Sequence, residues 1–290
     1  MNKKRYSVIG GDLRSIHLAN QIASDNNEVY IFGFNNASFE KKVCEIDSLA
    51  KVIEKADIVV GPLPCSNDDE TINSPFSKDK IYINDIFKLM TKNQIFIAGR
   101  ISEKINHIAK VYNVYTVDIL EREEMSVLNA IPTAEGAIQI AMEEMPITLH
   151  GSNALVLGFG RIGKVLAKML SGIGANVYVE ARRFDDIAWI RSYGYNPVHI
   201  SELDKIISKA DIIFNTIPYV ILNSDLLNLI NKECLVIDLA SKPGGVDFKR
   251  AGELGIKTIW ALSLPGKVAP VTAAGFIKDT IYNIINELGV

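Results

Sequence analysis

An apolar run, Ala154-Leu155-Val156-Leu157, leads straight into Gly158-Phe159-Gly160-Arg161-Ile162-Gly163, and a helix-like stretch follows at 162–170. A strand that turns sharply into a helix needs one glycine for the turn, a second for close approach of a ligand and a third so that the helix can pack on its strand. The first amides of such a helix have no partner within it and face an anion. Residues 158–163 are therefore read as the pyrophosphate seat of a Rossmann domain, against the plainer alternative of a glycine-rich turn without a ligand.

The end of the next strand selects the nucleotide, because an acid there suits a ribose 2′-hydroxyl and an arginine suits a 2′-phosphate. The run is Val177-Tyr178-Val179-Glu180-Ala181-Arg182-Arg183. Side chains alternate along a strand, which puts Ala181 at the register position of the usual acid and Glu180 on the opposite face. A small residue followed by Arg182 and Arg183 predicts NADP, since a guanidinium fork matches phosphate geometry. Glu180 leaves NAD open.

Apolar runs at 6–9, 29–32, 58–60, 95–98 and 114–117 precede the glycine turn, and others at 177–179, 212–214, 235–238 and 257–260 follow it, with helical or loop segments between. Alternation of this kind predicts parallel α/β architecture. Between the two sets, 132–144 reads as a helix, with Ile138, Ala141, Met142 and Met145 at helical spacing and Pro146 ending it. The expected organisation is two Rossmann- or flavodoxin-like parallel-sheet domains with an active-site cleft between them. The first spans 1–130 and takes in a final helix at 273–290, 131–149 is an interdomain helix and connection, and the NAD(P)-binding domain spans 150–272.

An internal echo supports two related halves. Lys55-Ala56-Asp57-Ile58-Val59-Val60 recurs as Lys209-Ala210-Asp211-Ile212-Ile213-Phe214, and Gly10 precedes Gly158 by a similar interval. Chance likeness between parallel strands is the alternative reading.

Composition narrows the partners. In 290 residues, 31 Lys and Arg stand against 34 Asp and Glu, so there is no field to gather nucleic acid or an anionic membrane, and a small ligand is expected. Three widely spaced cysteines lack metal-ligand spacing, which predicts a reducing cytoplasm and no structural metal. The basic start lacks the apolar core of a signal peptide, and no apolar run reaches membrane-spanning length.

Ligands of open α/β sheets sit at the carboxyl ends of the strands, so two further loops belong to the same crevice. Asn215-Thr216-Ile217-Pro218 supplies Thr216, Ile217 and Pro218 as cofactor neighbours. Asp238-Leu239-Ala240-Ser241-Lys242-Pro243-Gly244-Gly245 supplies Asp238 and Ala240 to the cofactor, and brings a hydroxyl and a cation, Ser241 and Lys242, to where nicotinamide and substrate would meet. An ordinary loop lysine is the alternative for Lys242.

Those motifs, with Ile131-Pro132-Thr133-Ala134-Glu135-Gly136, His150-Gly151-Ser152 and Leu264-Pro265-Gly266-Lys267-Val268-Ala269-Pro270, resemble the A subunits of bacterial dipicolinate synthase along the whole chain. The family often carries Arg where this chain has Lys242. The resemblance implies oxidation of dihydrodipicolinate, or its hydrated precursor, to pyridine-2,6-dicarboxylate in spore formation, together with the B subunit of that synthase and in a homo-oligomer. A dicarboxylate calls for cations, and Lys242, Lys267, Arg100 and Arg14 are the candidates. Glu135, Thr133 and Ser241 are candidates for proton transfer, although Glu135 also fits a helix-capping role from Thr133.

Two other readings stay open: a nucleotide-binding component with a regulatory or scaffold role, and an NAD-linked hydroxy-acid or amino-acid dehydrogenase. Against hydroxy-acid chemistry, the late loop 261–270 holds no histidine, and His17, His107, His150 and His199 lie elsewhere.

Overall fold

A computed structural model describes residues 3–35, 37–40 and 42–289. The chain divides into two compact units, 1–126 with 269–290, and 127–268. Each is built on one sheet. In the first, β1 (Arg5–Ile9), β2 (Glu28–Phe32), β3 (Val43–Glu45), β4 (Ile58–Val60), β5 (Ile95–Ala98) and β6 (Tyr115–Asp118) lie in the order β3-β2-β1-β4-β5-β6. In the second, β7 (Asn153–Leu157), β8 (Asn176–Ala181), β9 (Asn196–His199), β10 (Ile212–Asn215), β11 (Leu235–Asp238) and β12 (Thr258–Trp260) lie in the order β12-β11-β10-β7-β8-β9. Every pairing within these sheets is parallel. Both are the doubly wound Rossmann arrangement, with helices on both faces and a reversal of strand order between β1 and β4 or between β7 and β10.

The internal echo has a structural cause. The Asp57 carboxylate accepts the Arg5 N–H at 3.1 Å, and the Asp211 carboxylate accepts the Asn153 N–H at 2.7 Å. In each unit an aspartate at the foot of the fourth strand ties down the start of the first, satisfying an amide that the sheet leaves unpaired.

Two edge strands carry no signal in the apolar pattern. β3 has three residues and a half-exposed Val-Cys-Glu pattern, and β9 contains Pro197. Short, polar or proline-bearing strands are what sheet edges select, and they hold few hydrophobic residues to betray them. The connecting helix also starts earlier than its periodicity suggests, running Glu123–Glu144 with Pro132 inside it. The unit boundary falls within it, so residues expected to form a separate connection belong to the second compact unit.

The two glycine turns part company at the helix that follows. In the first unit Asp12 caps helix Leu13–Ser24, accepting the Arg14 N–H at 3.0 Å, and the buried Arg14 guanidinium binds the same carboxylate and the Leu63 carbonyl. A Cβ at Gly10 would meet Ile72 Cγ2 at 2.7 Å, so the protein itself fills this turn. The place an anion would take holds a carboxylate.

Helix Pro270–Leu288 closes the first unit's core with Ala274, Ile277, Ile281, Ile284 and Ile285, packed in one cluster with Tyr6, Leu18 and Ile22. Lys278 and Tyr282 fasten it to Asp25 at 2.8 and 3.0 Å. Ile281 is fully buried. Ile281→Ala is expected to destabilise this unit by about 3 kcal/mol, the usual cost of an isoleucine-sized cavity, measured as a shift of the urea unfolding midpoint.

Candidate dinucleotide site

In the second unit the strand-to-helix turn is shaped by what glycine permits. Gly158 has φ +93°, and a Cβ there would lie 2.7 Å from Thr216 Oγ1. A Cβ at Gly163 would lie 2.1 Å from the Gly158 carbonyl oxygen, so only glycine lets the helix sit this close to its turn. Around Gly160, by contrast, a Cβ would meet nothing within 4 Å. Helix Arg161–Ile173 begins at Gly160 with no side-chain cap, which leaves its first amides turned towards open space. The Phe159 side chain packs into the core beside Tyr193, with the Lys164 ammonium 5.2 Å from its ring centre, and Ile162 packs on the same core. The side chains of Phe159 and Ile162 are thus used in packing.

A cavity of about 230 Å³ opens on this turn, lined by Gly158, Gly160, Glu180, Arg182, Arg183 and Ile217 among others. Ala181, the register position expected to face the ribose, borders the cavity but belongs with Val177 and Val179 to the core. Glu180 lies on the other face, as alternation requires, and that face turns to the glycine turn. It is 1% exposed, and its Oε2 accepts the Gly158 N–H at 3.2 Å. Its Oε1 is buried without a partner among the described residues, and burial pushes the carboxyl above its ordinary pKa. Arg183 pairs with Asp185, Nε to Oδ1 at 2.9 Å, whereas the Arg182 guanidinium has no hydrogen bond or salt bridge among the described residues.

The loops after β10 and β11 are tied together from below. Asn215 and Asp238 are both fully buried, and Asn215 donates to Asp238 Oδ1 at 2.8 Å and to the Ile217 carbonyl at 3.0 Å. Asp238 also accepts the N–H groups of Ala240 and Gly245, at 3.0 and 2.8 Å. The carboxylate of Asp238, a residue expected beside the cofactor, anchors the loop, as does the Ala240 carbonyl, which accepts Trp260 Nε1 at 2.9 Å. Gly245 is required because a Cβ would lie 2.0 Å from Asn215 Nδ2. The Thr216 hydroxyl donates to the Leu157 carbonyl at 2.8 Å, Ile217 lines the cavity and Pro218 is exposed. Sequence reasoning missed Asn215 as an organising residue. A polar residue ending an apolar strand opposite Asp238 was the available sign.

The proposed chemical groups are less gathered. Ser241 and Lys242 stand exposed at the tip of the anchored loop, and Lys267 is exposed. Glu135 is exposed in mid-helix, twelve residues past Glu123, so it does not cap that helix. The Thr133 hydroxyl donates to the Asn129 carbonyl at 2.7 Å. Arg14 and Arg100 belong to the first unit, Arg14 buried and Arg100 exposed. His199 is held by Ser201 and the Arg182 carbonyl at 2.7 and 3.2 Å. Among the described residues no His, Cys, Asp and Glu cluster could hold a metal, and no helix is long and apolar enough to cross a membrane.

Residues 5–120 match the family described as the N-terminal domain of the dipicolinate synthase A subunit, and 130–241 match the NAD-binding domain of D-isomer-specific 2-hydroxyacid dehydrogenases. The dipicolinate synthase A subunit of Bacillus subtilis (strain 168) is 32% identical over 98% of this chain and 96% of its own. The chain belongs to the family of dipicolinate synthase A subunits. Crystal structures of A subunits from Bacillus halodurans and Bacillus subtilis superpose with TM-scores of 0.90 at 31% and 30% identity, covering 97% and 100% of this chain and 97% and 98% of theirs. A transhydrogenase from Sinorhizobium meliloti, at 16% identity and TM-score 0.70 over 97% of this chain and 94% of that one, shares the fold. In this family member the dehydrogenase-type match ends at Ser241, before the late loop in which histidine is missing.

Two outcomes follow from the glycines and the filled first turn. Gly160→Ala should leave the melting temperature unchanged and weaken dinucleotide binding at least tenfold, because its Cβ enters the ligand's space alone, whereas Gly163→Ala should lose stability and binding together, as read by thermal melting beside titration calorimetry. The same calorimetry should give one dinucleotide per chain.

Proposed function

We propose that this chain is the NADP-linked dehydrogenase component of a dipicolinate synthase, working in the cytoplasm of a spore-forming cell with a B subunit and as a homo-oligomer. It oxidises dihydrodipicolinate, or its hydrated precursor, to dipicolinate. The observation that carries the reading is the start of helix Arg161–Ile173, which has no side-chain cap, beside a cavity also lined by Arg182, whose guanidinium has no hydrogen bond or salt bridge among the described residues. Open amides suit a pyrophosphate and an unpaired guanidinium suits a 2′-phosphate.

A bound nicotinamide would supply a hydride acceptor for the ring carbon; loss of a proton as well makes the ring aromatic, and the hydrated precursor loses water in addition. The protein's part is to bind and orient. The network of Asn215, Asp238 and Gly245 fixes the loop that carries Ser241 and Lys242, so that the Lys242 ammonium can hold a substrate carboxylate and the Ser241 hydroxyl can donate to it. The Glu135 carboxyl group is the acceptor for the ring proton. Thr133 positions substrate through oxygen lone pairs, its proton being committed to Asn129.

One observation favours a second reading, in which this chain binds the nucleotide and the chemistry is completed by its partner: Ser241, Lys242 and Glu135 are all exposed within their own unit. Mixing the purified chain with the dihydro substrate and NADP⁺ separates the two. Nicotinamide reduction without the B subunit supports a complete dehydrogenase; reduction only after its addition supports the shared site.

For cofactor choice, Arg182→Ala should weaken NADP binding by about tenfold or more and NAD binding by less than about twofold, measured as dissociation constants at one ionic strength. Equal weakening of both would remove the 2′-phosphate role.

A further inference from the structure

The short helix Leu264–Val268 is fastened on both sides of an exposed lysine. Leu264 and Pro265 are buried, and the Cβ that Gly136 lacks would lie 3.1 Å from Leu264 Cβ and 3.2 Å from Val268 Cγ1. Glycine thus lets this helix lie directly against helix Glu123–Glu144, with Ala134, Ala137 and Leu264 in one buried cluster. Glu135 immediately precedes one partner of that contact and Lys267 the other, and both are exposed. The backbone that carries Lys267 is therefore held by packing, while its ammonium has no hydrogen bond or salt bridge among the described residues.

The loop that carries Lys267 leaves β12 beside the loop that carries Lys242 and leaves β11. The two strands pair in parallel with Asp238 opposite Trp260, so both loops start at one carboxyl edge, where open α/β sheets hold their ligands. Trp260 ties them together. Its Nε1 donates to the Ala240 carbonyl at 2.9 Å, two residues before Lys242, and its ring stacks on Phe248 at 5.3 Å. Ser263, at φ +61°, then turns the chain towards the short helix, a conformation that a residue other than glycine keeps only where its surroundings impose it. All of these residues belong to the second compact unit.

Two ammonium groups without protein partners, on adjacent loops tied to each other, suit two anionic groups on one small frame. With Lys242 on one carboxylate of a dicarboxylate, the other still lacks a cation. We infer that Lys267 binds this second carboxylate, so that Lys242 and Lys267 together select a ring bearing two carboxylates over a ring bearing one. The inference rests on the reading that a pyridine-type dicarboxylate is the substrate of this chain.

Titration calorimetry of the full-length chain loaded with NADP⁺ compares pyridine-2,6-dicarboxylate with pyridine-2-carboxylate at one ionic strength. Wild type should bind the dicarboxylate about tenfold more tightly or better, the size of one hydrogen bond between charged groups. In Lys267→Gln that preference should fall below about threefold: the dicarboxylate is weakened about tenfold, and the monocarboxylate and NADP⁺ by less than about twofold each. Lys242→Gln should erase the preference in the same way, and Lys267→Arg, which keeps a cation, should retain it. A Lys267→Gln chain that keeps the tenfold preference, or that weakens both acids equally, overturns the inference. Wild type that binds both acids alike overturns the inference alone, whereas wild type that binds neither sinks the substrate reading and the inference with it.

Discussion

The approach of Gly163 to the Gly158 carbonyl governs the second unit. With room for only a hydrogen there, the helix starts directly over the end of β7, and its first amides reach the crevice at the reversal of strand order. Gly160 contributes by presenting no side chain to either the ligand's space or the amides. In the first unit the same sheet order exists, yet Asp12 has capped the corresponding helix and Ile72 has closed over Gly10. One architecture occurs twice, and a single capping carboxylate separates a turn open to an anion from one that has satisfied itself.

Around that turn, burial of polar groups distinguishes support from contact. Asp238 and Asn215 have no exposed surface and spend their hydrogen bonds on backbone and on each other, which is how a loop bearing solvent-facing Ser241 and Lys242 can hold one shape. Glu180 is as deeply buried but only half satisfied. A fully answered buried network rigidifies, whereas a half-answered group keeps a desolvation cost that the network has offset.

Much of this is legible from the chain alone, for reasons tied to particular residues. Apolar runs at the central strands are strong signals because both faces of a parallel sheet are covered. β3 and β9 escape because edges are short, polar and tolerant of proline. The alternation along β8 is as the pattern predicts, with Val177, Val179 and Ala181 together and Glu180 opposite, but which face meets the turn depends on the neighbouring strand, through the pairing of Leu157 with Glu180. Asp238 looks like a ligand contact from its place at a strand end. Its three donors come from residues two, seven and twenty-three positions away, and that convergence is not written in any local pattern.

The sequence alone determined the parallel α/β class and the glycine turn, because each depends on contacts between near neighbours or on a period of two or 3.6 residues, and it displayed the aspartate repeated before each fourth strand without the distant amide that each one holds. Only the tertiary structure decided that one turn is filled and the other open, that Asp238 supports the loop and that Glu180 keeps an unused acceptor. Those outcomes depend on side chains from distant strands competing for the same few hydrogen bonds, and burial decides which bonds can be left unmade.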